Sequence, residues 1–198
     1  MATQPNKRAG QKYTWQDYLT WPDEERWEVI AGEAYDMTPS PTPRHQILAG
    51  NFYRKLADRL AGKPCRVFIA PLDVYLDDHN FIQPDVLVVC DPPKIKDRIY
   101  GAPDLIIEVL SPSTALKDKR EKKALYERFG VKEYLVVHPD ELLIERYWLE
   151  SGRFTGPDVF GASDRLALRS LEGLEIALWE VFEVEPPAEA APEKTSLV

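Results

Sequence analysis

Three apolar runs, with one strongly charged segment between the last two, set the strongest constraint on how this chain can fold. Residues 86–90 are entirely apolar, residues 105–110 are apolar except for one glutamate, and residues 133–137 are apolar after a first glutamate. Strands that are buried on both faces have this composition. Residues 114–129 are rich in charge and are followed by Gly130, as at the end of a helix. The pattern predicts a strand–helix–strand unit and therefore a central sheet.

Shorter patterns predict further elements around this unit. In chain order they are a helix at 14–21, a hairpin of 27–30 with 34–37, a helix at 45–61, a strand at 66–76 and a strand at 142–149 that pairs with 133–137. The region after residue 149 is expected to hold short strands or a final helical turn. This order predicts an α/β or α+β fold, in which helices pack on a sheet of mixed strand direction.

Size and composition limit the class of protein. Of the 198 residues, 44% are hydrophobic and 29% are charged, which excludes a disordered chain and a fibrous repeat. Because no run of 18 apolar residues occurs, no membrane-spanning helix is expected. We expect a disordered leader at residues 1–12, one domain at 13–184 and a flexible acidic tail at 185–198. Since the leader has no apolar stretch of the kind found in a secretory signal, a cytoplasmic location is expected.

The two cysteines, Cys65 and Cys90, lie in apolar surroundings. This context favours small buried thiols in a reduced protein over a disulfide or a metal site.

Two carboxylates stand where apolar strands should exclude them. Glu108 lies inside the apolar run 105–110, and Asp85 directly precedes the run 86–90. Glu108 fits a structural role, in a salt bridge or at a solvated edge, and it equally fits a functional role as a metal ligand or general base. Asp85 fits a metal ligand too, but it also fits an ordinary residue at the start of a strand. Strands close in sequence usually lie side by side, so the two carboxylates are expected to meet at one sheet edge. Such a pair of oxygen donors suits magnesium or manganese.

Positive charge is concentrated in the predicted helix that follows Glu108. Residues 117–123 contain five bases and two acids, a local charge of +3, whereas the whole chain carries −8. The overall acidity speaks against general binding of a phosphate backbone. A charged helix turn is often only a solvated face, but Asp118, Lys122 and Tyr126 are spaced to share one side. A lysine on that side can reach Glu108 and stabilise charge that develops on a phosphate.

Two upstream residues are weaker candidates. Glu28 lies in an apolar stretch of the predicted hairpin, where it fits either an exposed strand position or an acidic site residue. His45 begins the long helix after a proline-rich loop, where it fits either a helix-start residue or a member of a site.

Taken in order along the chain, these residues resemble the PD-(D/E)XK nuclease superfamily, and in particular its bacterial Uma-type restriction-endonuclease family. The motifs that carry the resemblance are WEVIAGE at 27–33, PSP at 39–41 through His45, QPDV at 83–86, EVLSPST at 108–114, the Asp118, Lys122 and Tyr126 set, and GVKEY at 130–134. One position departs from the superfamily pattern, because Leu110 stands where a lysine follows the glutamate. The resemblance implies that this lysine has moved to the next helix, where Lys122 is the first choice and Lys119 the second.

The resemblance implies a restriction-endonuclease-like fold with a central mixed sheet flanked by helices, usually in a homodimer. It implies Mg²⁺-dependent or Mn²⁺-dependent hydrolysis of phosphodiester bonds in nucleic acid, with DNA the expected form. Asp85 and Glu108 would hold the metal together with a backbone carbonyl near Val109. Lys122 would orient the attacking water, and Glu28 and His45 would be additional site residues.

Two other classes of function remain open at this point. One is a module on the same fold that binds nucleic acid or regulates a partner without turnover, since a fold does not determine its function. The other is a structural or partner protein whose charged helix docks on an acidic protein.

Overall fold

Two larger sheets and a short two-stranded sheet build the protein. The computed structural model describes residues 10–22, 24–37, 40–111 and 115–188, with residues 115–120 described by their backbone alone. The helices are α1 (Trp15–Tyr18), α2 (Pro43–Leu60), α3 (Ala115–Phe129) and α4 (Leu178–Phe182), with a short 3-10 helix at Pro92–Lys94. The strands are β1 (Trp27–Ile30), β2 (Glu33–Asp36), β3 (Arg66–Ile69), β4 (Val74–Asp77), β5 (Asn80–Ile82), β6 (Val86–Val89), β7 (Ile99–Tyr100), β8 (Leu105–Val109), β9 (Glu133–His138), β10 (Leu143–Glu150), β11 (Arg153–Gly161), β12 (Arg165–Ala167) and β13 (Glu175–Ala177).

The central sheet has six strands in the order β11-β10-β9-β8-β6-β3. The β8 and β9 strands run parallel and are joined by α3, as the strand–helix–strand pattern predicts, while the other neighbours are antiparallel. A second sheet has the order β2-β1-β5-β4-β7, and β12 pairs with β13. The prediction of a mixed sheet flanked by helices is confirmed.

Helices cover both faces of the central sheet. On one face, α2 packs Leu48, Phe52 and Leu56 into a cluster with alternate side chains of β6 and β8. On the other face, α3 contributes Leu125 and Tyr126 to a cluster that also contains residues of the five-stranded sheet. The side chains of β6 and β8 are therefore buried on both faces, which explains their unbroken apolar sequence.

The predicted strand at residues 66–76 is wrong, because the chain forms two strands there. β3 ends at Ile69 and belongs to the central sheet, whereas β4 begins at Val74 and belongs to the five-stranded sheet. Pro71 lies between them and cannot donate a backbone hydrogen bond to a sheet. The apolar composition continues across this break, so it did not mark the change of sheet.

The prediction of two reduced thiols is also wrong, because Cys65 and Cys90 form a disulfide bond. β3 pairs with β6 so that Arg66 lies opposite Val89. One step further along this register, Cys65 and Cys90 face each other. Each half-cystine is half-buried. Their proximity depends on which strands pair, which the apolar surroundings alone did not reveal.

Removing this disulfide is expected to lower the free energy of unfolding by about 3 kcal/mol, because the bond closes a segment with a sequence separation of 25 residues. The measurement is urea unfolding of the Cys65→Ser/Cys90→Ser variant beside the oxidised parent chain. The parent chain in reductant is the matched control and should fall to the stability of the variant. Equal stability of all three samples, with two free thiols in the native parent, would contradict the bond.

The domain limits of 13–184 stay a prediction, and most of the predicted leader and tail lies outside the described residues. Residues 112–114, the end of the EVLSPST motif, lie outside them as well. Among the described residues, no helix is both long enough and apolar enough to cross a membrane.

Candidate active site

The pairing of β6 with β8 brings two of the predicted site residues together. Val86 lies opposite Ile107, so Asp85 and Glu108 form the next pair of positions along the two antiparallel strands. Glu108 is only 7% exposed although it lies inside an apolar strand. The expectation that the two carboxylates meet at one sheet edge therefore agrees with the strand register.

Asp85 is held by a backbone amide and by a histidine. The Val109 N–H donates to Asp85 Oδ2 over 2.8 Å, and His45 Nε2 lies 3.0 Å from the same oxygen. His45 lies in the first turn of α2, where its own N–H donates to the hydroxyl of the capping residue Thr42. The structure thus brings His45, Val109 and Asp85 together from three separate segments.

The charge state of His45 follows from these neighbours. Burial opposes protonation of the imidazole, but the hydrogen bond to Asp85 and the charges of Asp85 and Glu108 outweigh it and raise the pKa of His45. The protonated imidazole is accordingly stabilised beside the Asp85 carboxylate.

Among the side chains that the structure describes, Lys122 reaches two of the buried carboxylates. Its Nζ lies 3.1 Å from Glu108 Oε1 and 3.0 Å from Glu28 Oε2, and the residue is only 4% exposed. α3 packs on the face of the central sheet to which Glu108 points, so a side chain in the middle of the helix is directed at the strand. Lys119, the second choice, lies on the same helix, but its side chain is outside the described residues.

Glu28 enters the site from the five-stranded sheet. It lies on β1, is 2% exposed, and accepts the Gln83 N–H at Oε1 over 2.9 Å. Its other oxygen contacts Lys122. Glu28 therefore connects the segment that leads into Asp85 with the lysine of α3.

Tyr126 is a site residue that the sequence did not assign. Its hydroxyl donates to Glu108 Oε1 over 2.6 Å, and the side chain is completely buried. Burial, together with the Glu108 and Glu28 charges, raises the pKa of Tyr126 well above its ordinary value, so the group stays a hydroxyl donor. A signal was present in the spacing, because Tyr126 follows Lys122 by one helical turn on the same side.

The environment of Glu108 makes its negative charge costly. Burial raises the pKa of Glu108 to about 8, Lys122 acts in the opposite direction, and the nearby charges of Asp85 and Glu28 raise it further. A carboxylate in this position is stabilised as an anion when additional positive charge comes close.

The donor atoms fit a hard divalent cation. Within the described parts of the chain, no three His, Cys, Asp or Glu side chains are grouped closely enough to hold a metal by themselves. Mg²⁺ commonly needs only one or two carboxylates, because waters and substrate phosphates complete its octahedral shell. Val109 and His45 contact Oδ2 of Asp85, and Lys122 and Tyr126 contact Oε1 of Glu108. The second oxygen of each carboxylate takes part in none of these four contacts.

A mixed sheet flanked by helices is the architecture of restriction-endonuclease-like proteins, and here Asp85 and Glu108 occupy neighbouring positions of two adjacent strands of that sheet. The similarity to a solved structure supports this fold: a chain described as a putative nuclease belonging to DUF820, from Anabaena variabilis ATCC 29413, superposes with a TM-score of 0.72. The match covers 86% of this chain and 97% of that chain, at 20% sequence identity.

The chain belongs to the Uma2 family, described as "Putative restriction endonuclease", whose family model matches residues 15–179. Two relatives come from Synechocystis sp. (strain ATCC 27184 / PCC 6803 / Kazusa). The uncharacterized protein slr1290 is 30% identical over 179 residues, which cover 84% of this chain and 90% of the relative. The uncharacterized protein sll1609 is 29% identical over 128 residues, 62% of this chain and 72% of the relative.

Proposed function

We propose that this chain is a metal-dependent nuclease that hydrolyses phosphodiester bonds, with DNA as the expected substrate. The observation that carries the proposal is the meeting of Asp85 and Glu108 on adjacent strands with the buried ammonium of Lys122 beside Glu108. Membership of the family described as "Putative restriction endonuclease" supports the same chemistry. A structural salt bridge alone would not require a second carboxylate at the neighbouring strand position.

Asp85, Glu108 and the backbone carbonyl of Val109 are the groups proposed to hold Mg²⁺ or Mn²⁺. When bound, the ion would supply a Lewis acid that makes a bound water more acidic and neutralises charge on the phosphate. His45 and the Val109 N–H hold the Asp85 carboxylate in place through Oδ2. These contacts fix the orientation of the Asp85 carboxylate, whose charge is only partly screened by water.

Lys122 is proposed to orient the attacking water and to stabilise negative charge that develops on the phosphate. Its ammonium is buried, so its electrostatic effect is stronger than that of a solvated lysine. Glu28 is proposed as a positioning residue, because its Oε2 holds the Lys122 ammonium while its Oε1 accepts the backbone N–H of Gln83.

The proposal is tested by incubating the purified chain with supercoiled plasmid, linear duplex DNA and single-stranded RNA. Cleavage is expected with Mg²⁺ or Mn²⁺ and is expected to stop when EDTA is added. The Asp85→Asn/Glu108→Gln double variant, purified identically, reports any contaminating nuclease. Cleavage that persists in EDTA or in the double variant would count against the proposal.

Titration of the chain with nucleic acid and with Mn²⁺, beside the cleavage assay, separates the other functions. Binding of nucleic acid and Mn²⁺ without cleavage would favour a binding or regulatory module on a nuclease fold. Because the chain carries a net charge of −8, affinity for nucleic acid is expected to depend strongly on local contacts and to fall with added salt. A homodimer and a cytoplasmic location remain predictions.

A further inference from the structure

Two donors meet on a single oxygen of Glu108. The Tyr126 hydroxyl lies 2.6 Å from Glu108 Oε1, and Lys122 Nζ lies 3.1 Å from the same atom. Both donors come from α3 and approach β8 from the same side. Glu108 Oε2 takes part in neither bond.

The two donors differ in how firmly they can hold the carboxylate. Lys122 divides its ammonium between Glu108 and Glu28, and its side chain has several rotatable bonds. Tyr126 is completely buried, and its ring packs edge-on against Tyr134 with centroids 4.9 Å apart. A ring fixed in this way places its hydroxyl with little freedom, so Tyr126 is the more rigid of the two donors.

We propose that Tyr126 is a positioning residue for the metal site: by binding Oε1 of Glu108 it orients this carboxylate so that Oε2 serves the divalent cation. This inference rests on the proposed function. Tyr126 touches neither substrate nor ion and acts only through Glu108. It also keeps Lys122 and the cation on different oxygens of one carboxylate, so the two positive charges do not compete for the same atom.

Outer contacts of this kind usually contribute about 10- to 100-fold to metal affinity or activity. Removing the hydroxyl in Tyr126→Phe is therefore expected to weaken Mn²⁺ binding by about 10-fold or more. We expect kcat to fall at low Mn²⁺ and to recover at high Mn²⁺, whereas KM for the nucleic acid should not change. A role confined to packing would lower the melting temperature without altering Mn²⁺ affinity.

The matched control is Tyr147→Phe. The Tyr147 hydroxyl also donates to a carboxylate, Glu145 Oε2, over 2.8 Å, but this pair lies on β10, outside the site. The same loss of one hydroxyl should leave Mn²⁺ affinity and kcat at the parent values.

The experiment combines calorimetric titration of Mn²⁺ with cleavage assays of the parent, Tyr126→Phe and Tyr147→Phe. If the parent binds Mn²⁺ and Tyr126→Phe binds it equally well, the role of Tyr126 is overturned while the proposed function stands. If the parent does not bind Mn²⁺, the proposed function fails and the inference fails with it.

A structure of the parent with Mn²⁺ provides a test that does not depend on folding of a variant. The expected result is a Tyr126 hydroxyl that still donates to Oε1, with the ion on Oε2. An ion on Oε1, with the hydroxyl displaced, would overturn the proposal.

Discussion

Lys122→Met is expected to lower the free energy of unfolding by about 3–5 kcal/mol, because it leaves Glu28 and Glu108 as buried carboxylates without their shared cation. Methionine retains most of the side-chain volume, so the effect reports the charge more than the packing. Cleavage is expected to fall by about 100- to 1,000-fold, the range for removing a preorganised group that stabilises developing charge. Urea unfolding and plasmid cleavage measure the two effects.

Lys132→Met is the matched control for this change. Lys132 also pairs with a buried carboxylate, that of Asp104 at 2.7 Å, but its side chain is 59% exposed. Water can replace the lost ammonium there, so the expected change in stability is about 0.2–1 kcal/mol, with activity retained.

A second substitution separates charge from packing in the Lys122 variant. Adding Glu28→Gln to Lys122→Met removes one of the unpaired charges and is expected to restore part of the lost stability, without restoring cleavage. A Lys122→Met variant as stable as the parent chain would show that the buried contacts to Glu28 and Glu108 do not exist in solution.

Asp85→Asn and Glu108→Gln, made separately, are each expected to reduce kcat by at least about 100-fold. Loss of an outer contact to a metal ligand already costs about 10- to 100-fold, so loss of the ligand's charge should cost no less. The amide retains the shape of each side chain but loses the negative charge that strengthens the binding of a hard cation. Calorimetry should show weaker Mn²⁺ binding in parallel with the loss of cleavage.

Asp104→Asn tests whether any buried aspartate near the strands would have the same effect. Asp104 is 6% exposed and precedes β8, but it accepts the Cys90 N–H and pairs with Lys132. The Asp104→Asn variant is expected to have a lower free energy of unfolding than the parent chain, while its kcat stays at the parent value. If Asp85→Asn and Glu108→Gln cleave like Asp104→Asn, the assignment of both metal ligands is wrong.

Much of the central architecture was predictable because its signals are local in the chain. The apolar runs that became β6 and β8 are short and close in sequence, so their pairing followed from a general tendency of neighbouring strands. The sharp start of the apolar run at residue 86 also placed Asp85 directly before its strand, β6. The position of Lys122 on the side of α3 that faces the sheet followed from helical spacing.

Contacts between distant segments were not predictable in the same way. Glu28 appeared to be an ambiguous acid in a hairpin, since nothing in its neighbourhood indicates that β1 lies against α3 and the Gln83 segment. The Cys65–Cys90 bond and the division of residues 66–76 between two sheets had the same origin. In each case the outcome depended on which distant strands and helices pair or pack together, and that is a property of the whole chain.

Local sequence established the candidates at the centre of the site, namely two carboxylates at strand positions where apolar residues are expected and a lysine one turn before a tyrosine on the next helix. Tertiary packing alone decided that Glu28 shares the lysine with Glu108 and that Tyr126 binds the same glutamate oxygen as the lysine. The physical reason is that strand and helix periodicity specify the direction of a side chain along its own element. The partner of that side chain depends on how two sheets and a helix pack together in the interior.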